Sequence, residues 1–343
     1  MLLMNNDIEM KYRSMGRTGV HVSQLCLGCM MFGAKTSPED SEAIIKRAID
    51  AGINMLDTAN AYERGRGEEV VGDALKKNGL RDDVILATKV HFGMGADPNM
   101  KGNSRRHIIQ QCESSLKRLK TDWIDLYQIH RPQPSVPIDE TLRALDDLIR
   151  QGKVRYIGTS TFGAWQYVDA LWAAKELGLN RFVTEQPPYN LLERRVEREL
   201  LNMARHYGVA VFPWSPLAGG LLTGKYRKNN PSPAEGRYAN LPEGNWMGQR
   251  LNENMYAAIE DLIALAEKKE TTLSRLALAW VMAQPGVTAP IIGPRTMEQF
   301  EDNLAATHIS LTQEDLQAID AICPPGGMFS PFYNSNWGPG EYR

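Results

Sequence analysis

The sequence predicts one α/β domain, residues 1–343, folded as a (β/α)8 barrel of the TIM type. Three observations carry that prediction. Short apolar runs alternate with amphipathic segments along nearly the whole chain, eight such runs can be counted, and 343 residues is a length at which an α/β barrel forms as one domain. An open, doubly wound sheet is the rival. It is disfavoured because no apolar run is followed by a G-x-G-x-x-G opening a helix; "GRGEEV" at 65–70 lacks the third glycine and follows a loop.

In chain order, "MKYRSMGRTGVHV" at 10–22 reads as a hairpin with a glycine turn, placed to plug the barrel floor. The first barrel run is 25–28. In "SPEDSEAIIKRAIDAG" Ser37 is the expected N-cap, Pro38 the first helical residue and Gly52 the stop. Further runs lie at 54–57, 84–89, 124–130, 156–160, 181–186, 209–214 and 289–292. Between them "RRHIIQQCESSLKRLK", "IDETLRALDDLIRQGK", "AWQYVDALWAAKELG", "RRVERELLNMARHYG" and "TTLSRLALAWVMAQPG" have helical periodicity, several ending in glycine just past the last apolar position. Besides the hairpin, two segments fall outside the repeat. Residues 226–250 form a long polar, Gly/Pro-rich loop of a length that suits a lid or binding loop. The tail 324–343 is rich in glycine and aromatic residues, and its aromatic content argues for packing over the barrel mouth.

Composition excludes several classes of function. A net charge of -2 with 23% charged residues gives no footprint for nucleic acid. No window approaches the ~20 apolar residues of a membrane span. The start "MLLMNNDIEMKYR" lacks the basic region and apolar core of a signal peptide, so a cytoplasmic protein is expected. Cys26 and Cys29 make a C-x-x-C, but in a strand residues three apart point to opposite faces, and no second pair completes a metal site. No metal is expected.

In a parallel barrel, chemistry gathers where strands end. The polar residues closing the runs are Asp57, Lys89, His130, Ser160, Gln186 and Trp214 with Ser215, and Tyr62 lies one short loop beyond Asp57. Together they describe an acid. A lysine ammonium beside a tyrosine lowers its pKa from ~10, an aspartate holds the lysine, and a histidine orients a carbonyl oxygen toward the phenol.

The chain resembles the aldo-keto reductases from "LCLGCMMFG" to "EDNL", and the contexts "GINMLDTANAYERG", "ILATKV" and "DLYQIHRP" match that family's catalytic set at Asp57, Tyr62, Lys89 and His130. The resemblance implies a nicotinamide cofactor, NADP as NADPH, lying across the carboxyl rim without a Rossmann domain. It implies that Ser160 in "GTSTF" and Gln186 in "TEQPPYN" bind the carboxamide, with Thr161 standing where many members have Asn. It assigns Trp214 to stack on nicotinamide and Ser215, Leu217, Gly219 and Lys225 to the pyrophosphate, with Gly28, Met30 and Asp57 also on the cofactor. Gly293, Arg295, Gln299 and Asn303 resemble the clamp on the adenosine half. The four-residue spacing of Arg295, Gln299 and Asn303 would put them on one face at a helix start, where an arginine suits a phosphate. Arg237 in the long loop is a second candidate for that phosphate.

The expected activity is reduction of a small-molecule aldehyde or ketone to an alcohol, reversible, with Tyr62 as general acid. Trp214, "GTSTF" and "WSPL" look more like the aryl-alcohol, inositol and channel-β-like branch than the aldose reductase branch. The alternatives are a ketoreductase of a nucleotide-linked deoxysugar and a cofactor-sensing regulatory subunit. Met30, Met31, His91, Phe92, Trp123 and the tail are the candidates for lining the substrate pocket.

Overall fold

The computed structural model describes residues 10–230, 233, 236–239, 241, 242 and 244–332. Parts of the expected long loop, and residues 333–343 of the expected tail, lie outside the described residues.

The eight expected runs are eight strands: β3 (Cys26–Gly28), β4 (Met55–Asp57), β5 (Ile85–Val90), β6 (Ile124–Ile129), β7 (Val154–Ser160), β8 (Thr184–Gln186), β9 (Ala210–Val211) and β10 (Ile291–Ile292). They pair in parallel in the order β10-β3-β4-β5-β6-β7-β8-β9. The ring closes between its ends, where the Ile291 N–H reaches the Pro213 carbonyl at 2.8 Å and the Thr288 N–H reaches that of Val211, also at 2.8 Å. The last two strands are shorter than the apolar runs that announce them. Pro213 and Pro290 have no N–H to continue a ladder.

The helices that surround the barrel are α1 (Pro38–Asp50), α2 (Arg66–Asn78), α3 (Arg105–Leu119), α4 (Ile138–Arg150), α5 (Ala164–Leu177), α6 (Leu200–Tyr207), α7 (Glu253–Lys268), α8 (Leu273–Ala283), α9 (Met297–Ala305) and α10 (Gln313–Ile322). The start of α1 is as the sequence implies: the Ser37 side chain accepts from the Asp40 N–H, with Pro38 at the first helical position. Only the second half of "RRVERELLNMARHYG" is α-helical. Ion pairs from Arg194 to Glu197 and from Arg195 to Glu193 accompany a single 3-10 turn there, and Glu199 leaves helical geometry before α6 begins.

β1 (Tyr12–Ser14) and β2 (His21–Ser23) form the antiparallel hairpin. Met15 and Val22 from it pack into the barrel interior with Cys26, Met55, Ala87, Leu126, Val183, Ala210, Phe212 and Ala289. At the turn, Gly16 has φ +60 and sits so close to the barrel that a Cβ would lie 2.6 Å from the Gly208 oxygen.

Strand alternation places the site. Met55, Ala87 and Leu126 point inward in the apolar floor, while Leu56, Leu86 and Tyr127 point outward against the helices. Two residues further along each strand, the inward positions are Asp57, Lys89 and Gln128, so the polar layer rests directly on the apolar one. The same alternation separates Cys26, inside the barrel, from Cys29, packed outside it; both are buried free thiols whose pKa burial pushes far up.

Two peripheral segments meet at the rim. The described part of the tail is tied down by hydrogen bonds from the Phe329 and Ser330 N–H groups to the Leu192 carbonyl. Arg250, at the end of the long loop, stacks 3.8 Å from the Phe332 ring and donates to the Pro331 carbonyl. Phe332 in turn approaches Trp214 edge-on at 6.5 Å between centroids.

Candidate active site at the carboxyl rim

Asp57 ends β4 and Lys89 stands one residue from the end of β5, both almost wholly buried. Lys89 Nζ is ion-paired with Asp57 Oδ1, donates to the Thr58 carbonyl at 2.9 Å, and lies 3.3 Å from the Tyr62 hydroxyl. The second carboxylate oxygen of Asp57 accepts from Gln186 Nε2 at 2.7 Å and from Gln128 Nε2 at 3.2 Å. Three donors thus hold one buried anion. Tyr62 is carried by a turn in which Glu63, Arg64 and Gly65 all have positive φ, at 45°, 53° and 98°. Two consecutive non-glycine residues in that region are costly, and such strain persists where the surroundings fix it.

His130 follows β6, and its ring meets Tyr62 edge-on at 5.9 Å and Phe92 at 4.8 Å. Its Nδ1 is buried with no hydrogen-bond partner among the described residues. Burial first, then the charges of Lys89 and Arg131, hold its pKa well below the ordinary value, so the ring is neutral. Burial works against the Lys89 charge, but Asp57 and Tyr62 outweigh it and its pKa rises. Tyr62 corrects the expectation from sequence. Lys89 does pull the phenol toward ionisation, yet burial pushes harder, and the net pKa is above the ordinary tyrosine value.

The structure gathers Ser160, Gln186, Trp214 and Ser215 on the same rim. Ser160 Oγ donates to the Gln186 carbonyl at 3.0 Å, and Gln186 spends an amide hydrogen on Asp57. Thr161, where an Asn would sit easily, is held at φ 64. Beyond Trp214, Ser215, Ala218, Gly219 and Gly220 all have positive φ, at 53°, 52°, 65° and 102°. Their N–H groups fold the loop onto itself: that of Ala218 reaches the Ser215 carbonyl and that of Gly220 the Leu217 carbonyl, each at 2.8 Å. A Cβ on Gly220 would lie 3.9 Å from Lys225 Nζ, and one on Gly219 would lie 3.6 Å from Arg237 Cδ, so both cations flank this loop with Leu217. The indole Nε1 of Trp214 is buried without a hydrogen-bond partner among the described residues, and at Gly293 a Cβ would meet nothing within 4 Å. An orphaned indole donor, two cations beside the loop and an open backbone edge at Gly293 fit the ring and phosphates of a dinucleotide.

Two expectations change on inspection, at Arg295 and Trp123, and Gly28 gains a packing role. Arg295 is not on the helix with Gln299 and Asn303: Thr296 caps α9, leaving Arg295 just outside it, joined by its N–H to Gln299 Oε1 at 2.9 Å. Gly28 is a glycine because β10 passes so close that a Cβ would lie 2.6 Å from Ile291 Cγ2. Trp123 is not at the rim. It precedes β6 at the amino end of the barrel, stacked by Arg81 at 4.1 Å and Arg155 at 5.8 Å. Of the other pocket candidates, Phe92 and Met30 are exposed beside the site, Met31 lies 4.0 Å from Arg237, and His91 is hydrogen-bonded to Asn103 at 2.9 Å.

Two residues of the site were missed. Gln128 is marked by alternation, since it lies two residues beyond the inward-facing Leu126 on β6. Arg131 donates to the His130 carbonyl at 2.6 Å and lies within 6 Å of the Phe92 and Trp214 rings. No feature of the sequence singles it out.

A barrel of this topology with an Asp–Lys–Tyr chain beside a neutral histidine is a candidate oxidoreductase site. The chain belongs to the aldo/keto reductase family, whose sequence model matches residues 24–324. It is 43% identical to the "Uncharacterized oxidoreductase YrpG" of Bacillus subtilis (strain 168), over 93% of this chain and 98% of that protein. It is 38% identical to a "Probable voltage-gated potassium channel subunit beta" of Oryza sativa subsp. japonica, covering 91% of this chain and 96% of the other. A protein of the same description from Arabidopsis thaliana is 37% identical over 88% of this chain and 92% of its own length. Among the described residues no helix is long and apolar enough to cross a membrane.

Proposed function

We propose that this chain, acting as one barrel domain, uses NADPH to reduce small aldehydes or ketones, with Tyr62 as the proton donor. The observation that carries the reading is the buried chain Asp57–Lys89–Tyr62 with a neutral His130 ring beside the phenol. Asp57, anchored by Gln128 and Gln186, fixes the Lys89 ammonium against the Tyr62 hydroxyl. Burial keeps Tyr62 protonated through the neutral range, so the proton is there to give. Lys89 stabilises the phenolate left when that proton passes to a carbonyl oxygen, and His130 offers a ring N–H to the same oxygen.

Ser160, Gln186 and Trp214 would hold the nicotinamide end of the cofactor, with Gly28 and Met30 beside it. The loop from Ser215 through Lys225 would hold the pyrophosphate, and Gly293, Arg295, Gln299, Asn303 and Arg237 the adenosine half with its 2′-phosphate. When bound, NADPH supplies the hydride. The test is loss of reduced-nicotinamide absorbance with a panel of aromatic aldehydes, aliphatic aldehydes, diketones and sugars. Many turnovers per protein with at least one class support the reading; none with any class sinks it.

The similarity to proteins named as channel β-subunits favours a second reading, a cofactor-sensing regulatory subunit. It predicts stoichiometric oxidation of bound cofactor followed by stalling, in place of repeated turnover.

A further inference from the structure

One buried carboxyl beside the site has no part in the chemistry above. Glu185 sits on β8 immediately before Gln186, with no exposed surface. Strand alternation turns it away from the barrel interior, where it bonds to the turn that leaves β7. Its Oε2 is hydrogen-bonded to the Thr159 hydroxyl and its Oε1 accepts the Phe162 N–H at 3.1 Å. Between those two contacts lie Ser160 and Thr161.

That turn needs holding. Thr161 is β-branched, fully buried and at φ 64, a conformation that its side chain disfavours and that survives only where neighbours dictate it. The backbone holds on this turn come from β8. The Thr161 N–H donates to the Gln186 carbonyl at 3.1 Å, Ser160 Oγ donates to the same oxygen, and Glu185 takes the Phe162 N–H on the far side. The turn is gripped from both flanks, and what it presents are Ser160 and, across the ladder, its register partner Gln186.

We propose that Glu185 is a positioning residue for the nicotinamide end of the cofactor, holding the Thr159–Phe162 turn in the strained form that aligns Ser160 with Gln186. This rests on the cofactor reading given above. Burial lifts the Glu185 carboxyl to about 8, against the pull of Thr159 and the backbone N–H groups, so at neutral pH it is a neutral group that both accepts and donates. A glutamine has the same two capacities in the same shape. Alanine has neither, and aspartate keeps the chemistry but withdraws it by one methylene.

The experiment is calorimetric titration of wild type, Glu185→Ala, Glu185→Asp and Glu185→Gln with two ligands: NADPH, and adenosine 2′,5′-bisphosphate, which has the adenosine half without nicotinamide. Glu185→Ala should weaken NADPH about tenfold, the worth of one or two well-placed hydrogen bonds, and leave the bisphosphate unchanged. Glu185→Gln should stay within about threefold of wild type for both. Unchanged NADPH affinity in Glu185→Ala overturns the inference, and so does equal weakening of both ligands, which would mark a role in the fold alone. Should Glu185→Ala fail to fold, Glu185→Asp decides: weaker NADPH with unchanged bisphosphate supports the role, and wild-type affinity for both contradicts it. Wild type binding neither ligand overturns the cofactor reading itself, and this inference with it.

Discussion

Replacing Lys89 by Met removes the one charge that favours a Tyr62 phenolate at hydrogen-bonding range, and the structure gives the size of the effect. At 3.3 Å and an effective dielectric of about 20, a unit charge contributes about 5 kcal/mol. That equals more than about three powers of ten in acid strength. Expressed about half in the transition state of proton transfer, it predicts a fall in kcat of about 70-fold. The pH profile carries the sign. Reduction needs protonated Tyr62, so wild type loses rate only as pH rises through a phenol pKa that burial already holds above the ordinary value, and Lys89→Met moves that limb higher still. The same change leaves Asp57 with only its two amide donors. Stripping the partner from a buried charge costs about 3–5 kcal/mol, so the variant should melt lower, and Asp57→Asn in the same chain should restore part of the loss. The assay is steady-state reduction of the best carbonyl in the panel across the alkaline range, with thermal melts alongside. Near-normal kcat, or an alkaline limb moved downward, would refute the reasoning.

Other expectations follow from neighbouring contacts. Arg295→Ala should weaken NADPH by about ten- to a hundredfold and leave NADH little changed, since charge-assisted hydrogen bonds to a phosphate are worth roughly 1.5–3 kcal/mol; fluorescence titration with both cofactors reads this, and equal weakening would mean that Arg295 serves the adenine or the fold. Gln128→Leu removes one donor from Asp57 without touching the rim surface, so kcat should fall with cofactor affinity retained; a change confined to affinity would contradict that placement. Thr161→Asn puts a residue at ease with positive φ where a β-branched one is strained. It should add about 1 kcal/mol and raise Tm by about 1–2 °C, and a lower Tm would show that Thr161 is not strained.

What the sequence discloses about this site follows from parallel-barrel geometry. Each apolar run is a strand and its last polar residue stands on one rim, which is why Asp57, Lys89, His130, Ser160 and Gln186 were legible one run at a time. The same rule accounts for Trp123, which precedes its run and so lies at the opposite end. Gln128 escaped notice as a single amide inside an apolar run, and the alternation that points it at Asp57 matters only once the strand is known. Spacing puts Arg295 on a helix face, but spacing does not show that Thr296 is the cap. Burial was the quantity least visible. The pull of Lys89 on Tyr62 can be read from residue types, whereas the larger opposing push comes from everything packed around the phenol. Glu185 has no signature in the sequence, because the turn that it grips shows itself only in the φ of Thr161.

The central claim is that Tyr62 hands a proton to a carbonyl while NADPH is consumed, and Tyr62→Phe tests it most directly. The ring stays and only the hydroxyl 3.3 Å from Lys89 is lost. Steady-state reduction and NADPH titration of the same two preparations should show kcat lowered about 10²–10⁴-fold in the variant with cofactor affinity nearly unchanged. Turnover by Tyr62→Phe at close to the wild-type rate would contradict the account.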